Sequence, residues 1–523
     1  MTSASPVLTS NSTTSIHSKS DQNQNQNLNP TPVAEHKLTN ESESVQSIGT
    51  DLISIVYNYD ANVDDNNNDH LSEIKSIKSV KDEIPDKFSG WGLCSVISVV
   101  VFNFNTWGAN SAYSLYLQEY LSKDIFPGAD KYDYGILGGL TFGSGLVFAP
   151  LINFFIGKVG IKPIVTLGIL LNFAGIFLAS FATKLWQIYC TQGVMSGIGM
   201  ALICIPNITV IPQWFKGGPG GKRNLAMGIS AGGSGLGGIV YNIGLEPLLK
   251  NRSYKWSLRA QAIMSLGLNC IALLLIKSRN ASIKPVFKVY DRAVWTCFGT
   301  LCLVLWIMFT LFGYVVLMYN LGDFTRSLGY STEEASVVST MVAVGIIYGR
   351  PSVGKVGDII GPINVTIAAS LLVALFSWAM WIPCRNYATA IVFAMFVGSL
   401  MGTIWLTMAT ITASIIGLRK FGIAMSVCWI ATGVFGFVSP IIGLSLKKNG
   451  PASPTQYQPA SIFVGLCYFM AGLCLYILRS WIIQRNQIVK EMKDDDVLTD
   501  HLDVKVGFKN VFKGMLAPKM EKV

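Results

Sequence analysis

Between residues 89 and 481 the sequence breaks into twelve apolar segments of about 20 residues. That is the length of helix needed to cross the hydrocarbon of a bilayer. The approximate spans are 91–117, 134–156, 162–182, 187–210, 225–247, 257–277, 294–318, 334–352, 363–382, 388–411, 421–446 and 460–481. Lipid offers the backbone no hydrogen-bond partner, so every span is expected to be an α-helix. The fold class is therefore an all-α polytopic membrane protein with twelve transmembrane helices. Only 13% of the 523 residues are charged, against about 25% in a soluble chain, and mean hydropathy is +0.44.

The flanks read differently. Residues 1–88 carry runs such as Gln22-Asn23-Gln24-Asn25-Gln26-Asn27 and Asp64-Asp65-Asn66-Asn67-Asn68-Asp69. Such runs cannot bury apolar surface, so a disordered tail is expected. Its Ser and Thr residues offer sites to regulatory kinases, beside the plainer reading of a solvated tail. The first 80 residues hold no apolar stretch of signal-peptide type, so the first span is expected to serve as its own insertion signal. Residues 482–523 form a shorter charged tail.

Twelve spans put both tails on one side. Loops on that side hold about 13 Lys and Arg, and those on the far side about 11. The flanking Lys75, Lys78, Lys81, Lys87, Arg479, Arg485, Lys490 and Lys493 tip the balance, so both termini are expected in the cytoplasm. The net charge of +10 sits in short clusters between apolar runs. That placement fits anionic lipid rather than nucleic acid. The expected location is the plasma membrane, with a vacuolar or other internal membrane as the alternative. Asn251-Arg252-Ser253 falls on the expected outer face, in the form of a glycosylation acceptor.

An internal repeat organises the spans. Gly157-Lys158-Val159-Gly160 recurs as Gly354-Lys355-Val356-Gly357, Leu225-Ala226-Met227 as Ile423-Ala424-Met425, and Ser234-Gly235 as Thr432-Gly433. The offset is 197 or 198 each time, which independent chance matches would not share. Two six-helix halves in the same orientation follow, 89–278 and 294–481, joined by a basic cytoplasmic linker loop at 279–293. Parallel halves with a solute site between them are what the major facilitator fold shows. The Gly-Lys-Val-Gly stretches are expected in the short loops after spans 2 and 8. The second copy adds Asp358 where the first has Ile161, so a charged loop gate would be asymmetric.

Arg350 is the only Arg or Lys placed inside an otherwise uncharged span. A cation there costs roughly 2.5–3.5 kcal/mol on insertion scales and usually faces a cavity. Polar and aromatic residues also interrupt the spans: Asn103, Asn105, Trp107 and Asn110 in span 1, and Tyr314, Tyr348, Trp405, Thr407, Trp429 and Thr432 in the second half. The candidate binding set is Arg350 for a negative group, Asn105, Asn110 and Tyr348 as polar neighbours, and Trp107, Trp405 and Trp429 as apolar walls.

Other motifs carry less. Gly233-Ser234-Gly235-Leu236-Gly237-Gly238 has dinucleotide-loop spacing, but it lies inside a span and not between strand and helix. Close helix packing is the physical reading. The ten Cys are scattered with no metal-binding spacing, and the four His (His17, His36, His70 and His501) all lie in the tails. No cofactor, metal site or catalytic cluster is expected, which sets enzymes aside. Proton coupling would fall to the solute or to Glu119, Asp133, Glu246 or Asp323.

The residues also resemble a known family. Pro85-Asp86, Gly90-Trp91, Trp214-Phe215, Lys222-Arg223-x-Leu225-Ala226-x-Gly228 and Arg350-Pro351-Ser352-x-Gly354 look like the monocarboxylate transporter family and its fungal homologues, over about residues 85–480. The resemblance implies that Arg350 pairs with the substrate carboxylate, a role suited to a planar fork of donors. Animal members carry a Lys late in helix 1 and an Asp one turn before the Arg, both tied to proton coupling. Here Gly108-Ala109-Asn110 and Ile346 stand instead, and Lys87-Phe88-Ser89 replaces the usual opening motif.

The expectation is an alternating-access secondary transporter of a small organic anion, with proton symport as an optional feature. The alternatives are a pH-independent facilitator of a larger metabolite such as a vitamin, and a non-transporting nutrient sensor that signals through its tails.

Overall fold

The computed structural model describes residues 85–217, 220–279, 288–416, 420–448, 453, 455–492 and 506–516. The tail expected over 1–88, apart from its last four residues, lies outside them. So do the kinase sites, all four histidines and most of the 279–293 linker.

The described chain folds into long helices, with no strand among the described residues. We number the bundle α1 (Gly90–Ser122), α2 (Tyr132–Val159), α3 (Ile161–Ala179), α4 (Leu185–Gln213), α5 (Arg223–Asn251), α6 (Tyr254–Leu275), α7 (Phe298–Ser327), α8 (Glu333–Ile360), α9 (Pro362–Trp381), α10 (Tyr387–Ile416), α11 (Phe421–Ser445) and α12 (Gln458–Ile488). A short amphipathic α13 (Phe508–Leu516) follows. Eleven of these are long and apolar enough to span a membrane. The remaining one, α5, is 29 residues long, and its many glycines, with Arg223, Glu246 and Lys250, dilute its hydropathy.

Helix boundaries follow local chemistry. Asp130 caps α2 by accepting from the amides of Tyr132 and Asp133, while the Asp133 carboxylate accepts from the Asp130 amide. Ser331 and Glu334 form the same reciprocal box at the start of α8. Such boxes satisfy donors that a helix start leaves unpaired.

The two Gly-Lys-Val-Gly copies are not equivalent. In the first, Gly160 adopts φ +85° and turns the chain from α2 into α3. In the second, Gly354–Gly357 stays helical and Gly361, at φ +96°, makes the turn. The expected loop after span 8 is therefore the last turn of a longer helix, and it carries Asp358.

Two seams join the halves. Along α5 and α8, a Cβ at Gly228 would collide with the Arg350 carbonyl, one at Gly235 with that of Ala343, and one at Gly354 with that of Asn224. Along α2 and α11, Gly143 and Gly433 oppose each other in the same way. Small residues allow this backbone approach, which is how helices associate where no hydrophobic force separates lipid from side chain.

At the opposite edge of the second half, α12 runs past residue 481. Arg485 is 1% exposed and donates to the carbonyls of Ile415 (2.5 Å) and Ser414 (2.9 Å). Arg479 donates to Asn364 Oδ1. Both are buried cations; the 481 boundary hides Arg485 from a reading of spans alone, while Arg479 stands two residues inside that boundary. α13 packs on α12 through Ser480 Oγ to Val511 O and Tyr476 Oη to Met515 O.

Candidate solute-binding cavity

A cavity of about 1030 Å³ lies between the halves. Its deep end is lined by Val99, Cys204, Met227 and Arg350, and its walls rise to Glu119, Glu246, Lys250, Asp323 and Lys447, at helix ends away from the chain termini. Ion pairs stand at that mouth: Lys250 Nζ lies 2.8 Å from Glu246, and Lys447 Nζ lies 2.5 Å from Asp323, which also accepts from Tyr457.

Two irregular turns shape the deep part. α1 widens into a π-turn at Phe104–Gly108, a feature common at functional sites, and this turn carries Trp107. α10 breaks at 401–403, between Tyr387–Leu400 and Ile404–Ile416. Arg350 nests against that break: a Cβ on Gly402 would stand 2.6 Å from its Nη2. The neighbouring Gly349 lets α8 lie directly on the backbone of Ser399.

Arg350 is 3% exposed. Its Nη1 donates to Ala231 O (2.7 Å) and Ser234 Oγ (2.6 Å), both on α5, and its Nε has no partner. The phenols of Tyr314 and Tyr468 are its electrostatic neighbours. No carboxylate pairs with it among the described residues. The bonds to α5 are neutral, and they reach from the C-terminal half into the N-terminal one.

The cavity brings together Arg350, Trp107, Asn110, Trp405 and Trp429. It does not gather Tyr348 or Asn105. Tyr348 is 45% exposed, donates to Met395 O (3.4 Å) and does not line the cavity. Two residues along a helix means about 200° around it, so Tyr348 and Arg350 cannot share a face. The cavity face of α8 is Ser339, Ala343, Ile346 and Arg350, at the 3- and 4-residue spacing expected. Asn105 is 1% exposed, donates to Asn269 Oδ1 (3.0 Å) and accepts from Tyr241 Oη (2.8 Å), tying α1 to α6 and α5. On α1 the face is Asn103, Trp107, Asn110 and Ser114. Helical spacing applied residue by residue picks out both faces.

Several lining residues lie outside the candidate set, among them a buried asparagine of α4. Asn207 of α4 is 3% exposed, and neither its carbonyl nor its amide nitrogen is partnered. Its segment contains no charge to draw attention to it.

Below the cavity, on the side of the termini, the seams close. Asp358 accepts from the amides of Asn224 and Leu225, each at 3.1 Å, at the start of α5. On the other seam Asn153 donates to Ser426 Oγ (2.7 Å) and Gly422 O (3.3 Å). Asp86 holds the loop before α5 by accepting from the amides of Lys216 (3.0 Å) and Lys222 (3.3 Å). Among the described residues, no group of His, Cys, Asp and Glu could hold a metal ion.

A helical bundle in two halves, with one deep cavity between them and a seam on either side, defines a polytopic membrane carrier. The chain belongs to the Major Facilitator Superfamily, whose sequence profile matches residues 95–440. It is 43% identical to the "Probable transporter MCH2" of Saccharomyces cerevisiae over 441 residues, covering 83% of this chain and 92% of that protein. It is 32% identical to the "Uncharacterized transporter ESBP6" of the same yeast, over 80% of this chain and 64% of the relative. Its fold is similar to that of the E. coli fucose:proton symporter FucP (TM-score 0.53, 14% identity, 73% of this chain and 97% of FucP). A FucP structure in the outward conformation gives a TM-score of 0.55 at 14% identity, over 74% of this chain and 99% of FucP. The relatives named are transporters, not enzymes, and this chain is a multi-pass membrane transporter.

Proposed function

We propose that the chain is an alternating-access carrier of organic anions, with Arg350 binding the carboxylate of the solute. The observation that carries this reading is a buried guanidinium lining a solute-sized cavity, with no ion-pair partner among the described residues. A buried charge with no counter-charge is costly, by several kcal/mol even after relaxation, and an anionic solute supplies the missing charge. The resemblance to monocarboxylate transporters over the Arg350-Pro351-Ser352-x-Gly354 stretch supports the same role.

The geometry also supports a coupling of binding to movement. Arg350 holds α5 through Ala231 O and Ser234 Oγ. A carboxylate offers the guanidinium two charged acceptors in a planar fork, a stronger arrangement than neutral ones. Once the solute takes those donors, α8 is released from α5, and the seam below can open towards the chain termini. The cavity carboxylates Glu119, Glu246 and Asp323 all stand near its mouth, so in this reading the depth of the site offers no protein group to carry a proton. Any coupled proton travels on the solute.

Uptake of labelled organic acids at matched surface expression tests the assignment. Arg350→Ala is expected to abolish saturable uptake, and Arg350→Lys is expected not to restore it, because a single ammonium cannot reproduce the fork. Unchanged uptake by Arg350→Ala would overturn the role.

A further inference from the structure

Five aromatic rings from both halves converge on the cavity that holds Arg350. Trp107 and Phe142 come from α1 and α2, and Tyr314, Trp405 and Trp429 from α7, α10 and α11; all five line it. Trp405 is the centre of the group. Its ring centroid lies 4.7 Å from that of Trp107, 6.1 Å from Tyr314, 6.4 Å from Phe142 and 6.5 Å from Trp429. Trp107 and Phe142 are 5.2 Å apart.

The position of this panel relative to Arg350 is fixed by one short segment. Gly402, against which the guanidinium lies, is followed three residues later by Trp405, and the Trp405 amide donates to the Gly402 carbonyl at 3.2 Å. A solute whose carboxylate meets Arg350 therefore has an indole about one helical turn away, some 5 Å along α10. Rings of this kind favour flat partners, which can stack or meet them edge to face.

We infer that the preferred solutes are carboxylates carrying a planar aromatic or heteroaromatic ring, held by Arg350 at the acid and by the Trp107–Trp405–Trp429 panel at the ring. Small aliphatic acids meet the guanidinium but leave the panel uncovered. The Asn207 amide and the Trp429 indole N–H, both buried in the lining without a partner, favour rings that also bear a polar substituent. This inference rests on Arg350 as the carboxylate anchor.

The test is competition and direct uptake with four labelled probes in cells overexpressing the intact chain: benzoate, 4-hydroxybenzoate, cyclohexanecarboxylate and lactate. Benzoate and cyclohexanecarboxylate share charge and approximate size, so their difference reads ring planarity. The expected order is 4-hydroxybenzoate, benzoate, cyclohexanecarboxylate, lactate, with kcat/KM at least tenfold higher for benzoate than for lactate. Trp405→Leu keeps an apolar wall without a stacking face. It is expected to bring benzoate down to the level of cyclohexanecarboxylate and so to narrow the ratio of benzoate to lactate uptake. Equal handling of all four acids, or a preference for lactate, overturns the aromatic inference and leaves the anion carrier intact. Failure of every acid to enter or compete overturns the anion reading itself, and the inference with it.

Discussion

The two seams that close the bundle on the side of the termini occupy equivalent places in the repeat, yet they differ in charge. With the 197-residue offset, Asn153 of α2 stands where α8 has Arg350. Each crosses to the other half and donates to one backbone carbonyl and one serine hydroxyl: Asn153 to Gly422 O and Ser426 Oγ, Arg350 to Ala231 O and Ser234 Oγ. One side chain is neutral and lies beneath the cavity; the other is cationic and lines it. About two turns later the contrast repeats. Asp358 fastens α8 to the first amides of α5, while its counterpart is Ile161. Under the proposed role of Arg350, the α5–α8 seam responds to an anion and the α2–α11 seam does not. We read the first as the latch and the second as the pivot.

Substitutions should separate latch from pivot, the largest effects falling on the latch. Arg350→Ala removes both the anchor and the cross-link to α5. Losing one member of a buried charge contact typically costs about 2–5 kcal/mol, so a fall in kcat/KM of roughly 30-fold to several thousandfold is expected in an uptake assay. Asn153→Ala in the same assay should lose less than tenfold. Equal losses at the two positions would remove the distinction.

Glycine contacts come next. Gly228→Ala places a methyl against the Arg350 carbonyl on the latch seam, where backbone on both sides prevents relaxation. Overpacking of this kind costs about 1–3 kcal/mol, and a lower thermal midpoint of the detergent-solubilised protein would show it. Gly433→Ala, whose Cβ would stand 2.9 Å from Gly143 O, should lower the midpoint by less.

Asp358→Asn keeps the shape and removes the charge. Hydrogen bonds to charged groups contribute about 1.5–3 kcal/mol and neutral ones about 1 kcal/mol. The variant should raise reactivity of a cysteine-directed probe on the terminus side of the seam, with the cavity mouth unaffected. No change in reactivity there would mean that Asp358 does not help hold the latch shut.

The smallest expected effect lies outside the spans. Burial raises the Asp291 carboxyl, but the Lys420 ammonium at 3.2 Å and the Ala293 amide draw it net below the ordinary carboxylate range. A depressed folded value adds stability above the unfolded one, and that stability is lost as pH falls through the folded value. The contribution is that of a partly exposed pair, about 0–1 kcal/mol. Asp291→Asn should flatten the thermal midpoint against pH in the acid range and leave uptake at neutral pH unchanged.

Much of this was legible in the sequence, because bilayer thickness fixes helix length and a repeat fixes the order of the halves. The buried cation and the three tryptophans could be found for the same reason, since polar and large aromatic groups stand out against an apolar background. Tyr348 and Asn105 show what composition alone misses. Both are polar and mid-span, and both are two residues off the cavity face of their helix. Asn207 shows the converse, a lining residue in a segment with nothing to mark it. The break in α10 at 401–403, which packs on Arg350 of α8, and the longer α8 that carries Asp358 to α5 involve contacts between helices, which no single segment encodes.

The central claim is that an anion takes Arg350 away from α5 and so loosens the latch. Amide hydrogen exchange of the solubilised protein, with and without saturating benzoate, measures this directly. The account predicts faster exchange in residues 224–238 of α5 and 350–358 of α8 on addition of benzoate, little change in 422–433 of α11, and no response in Arg350→Ala. Slower exchange along α5 and α8 on binding, or the same response in Arg350→Ala, would contradict it.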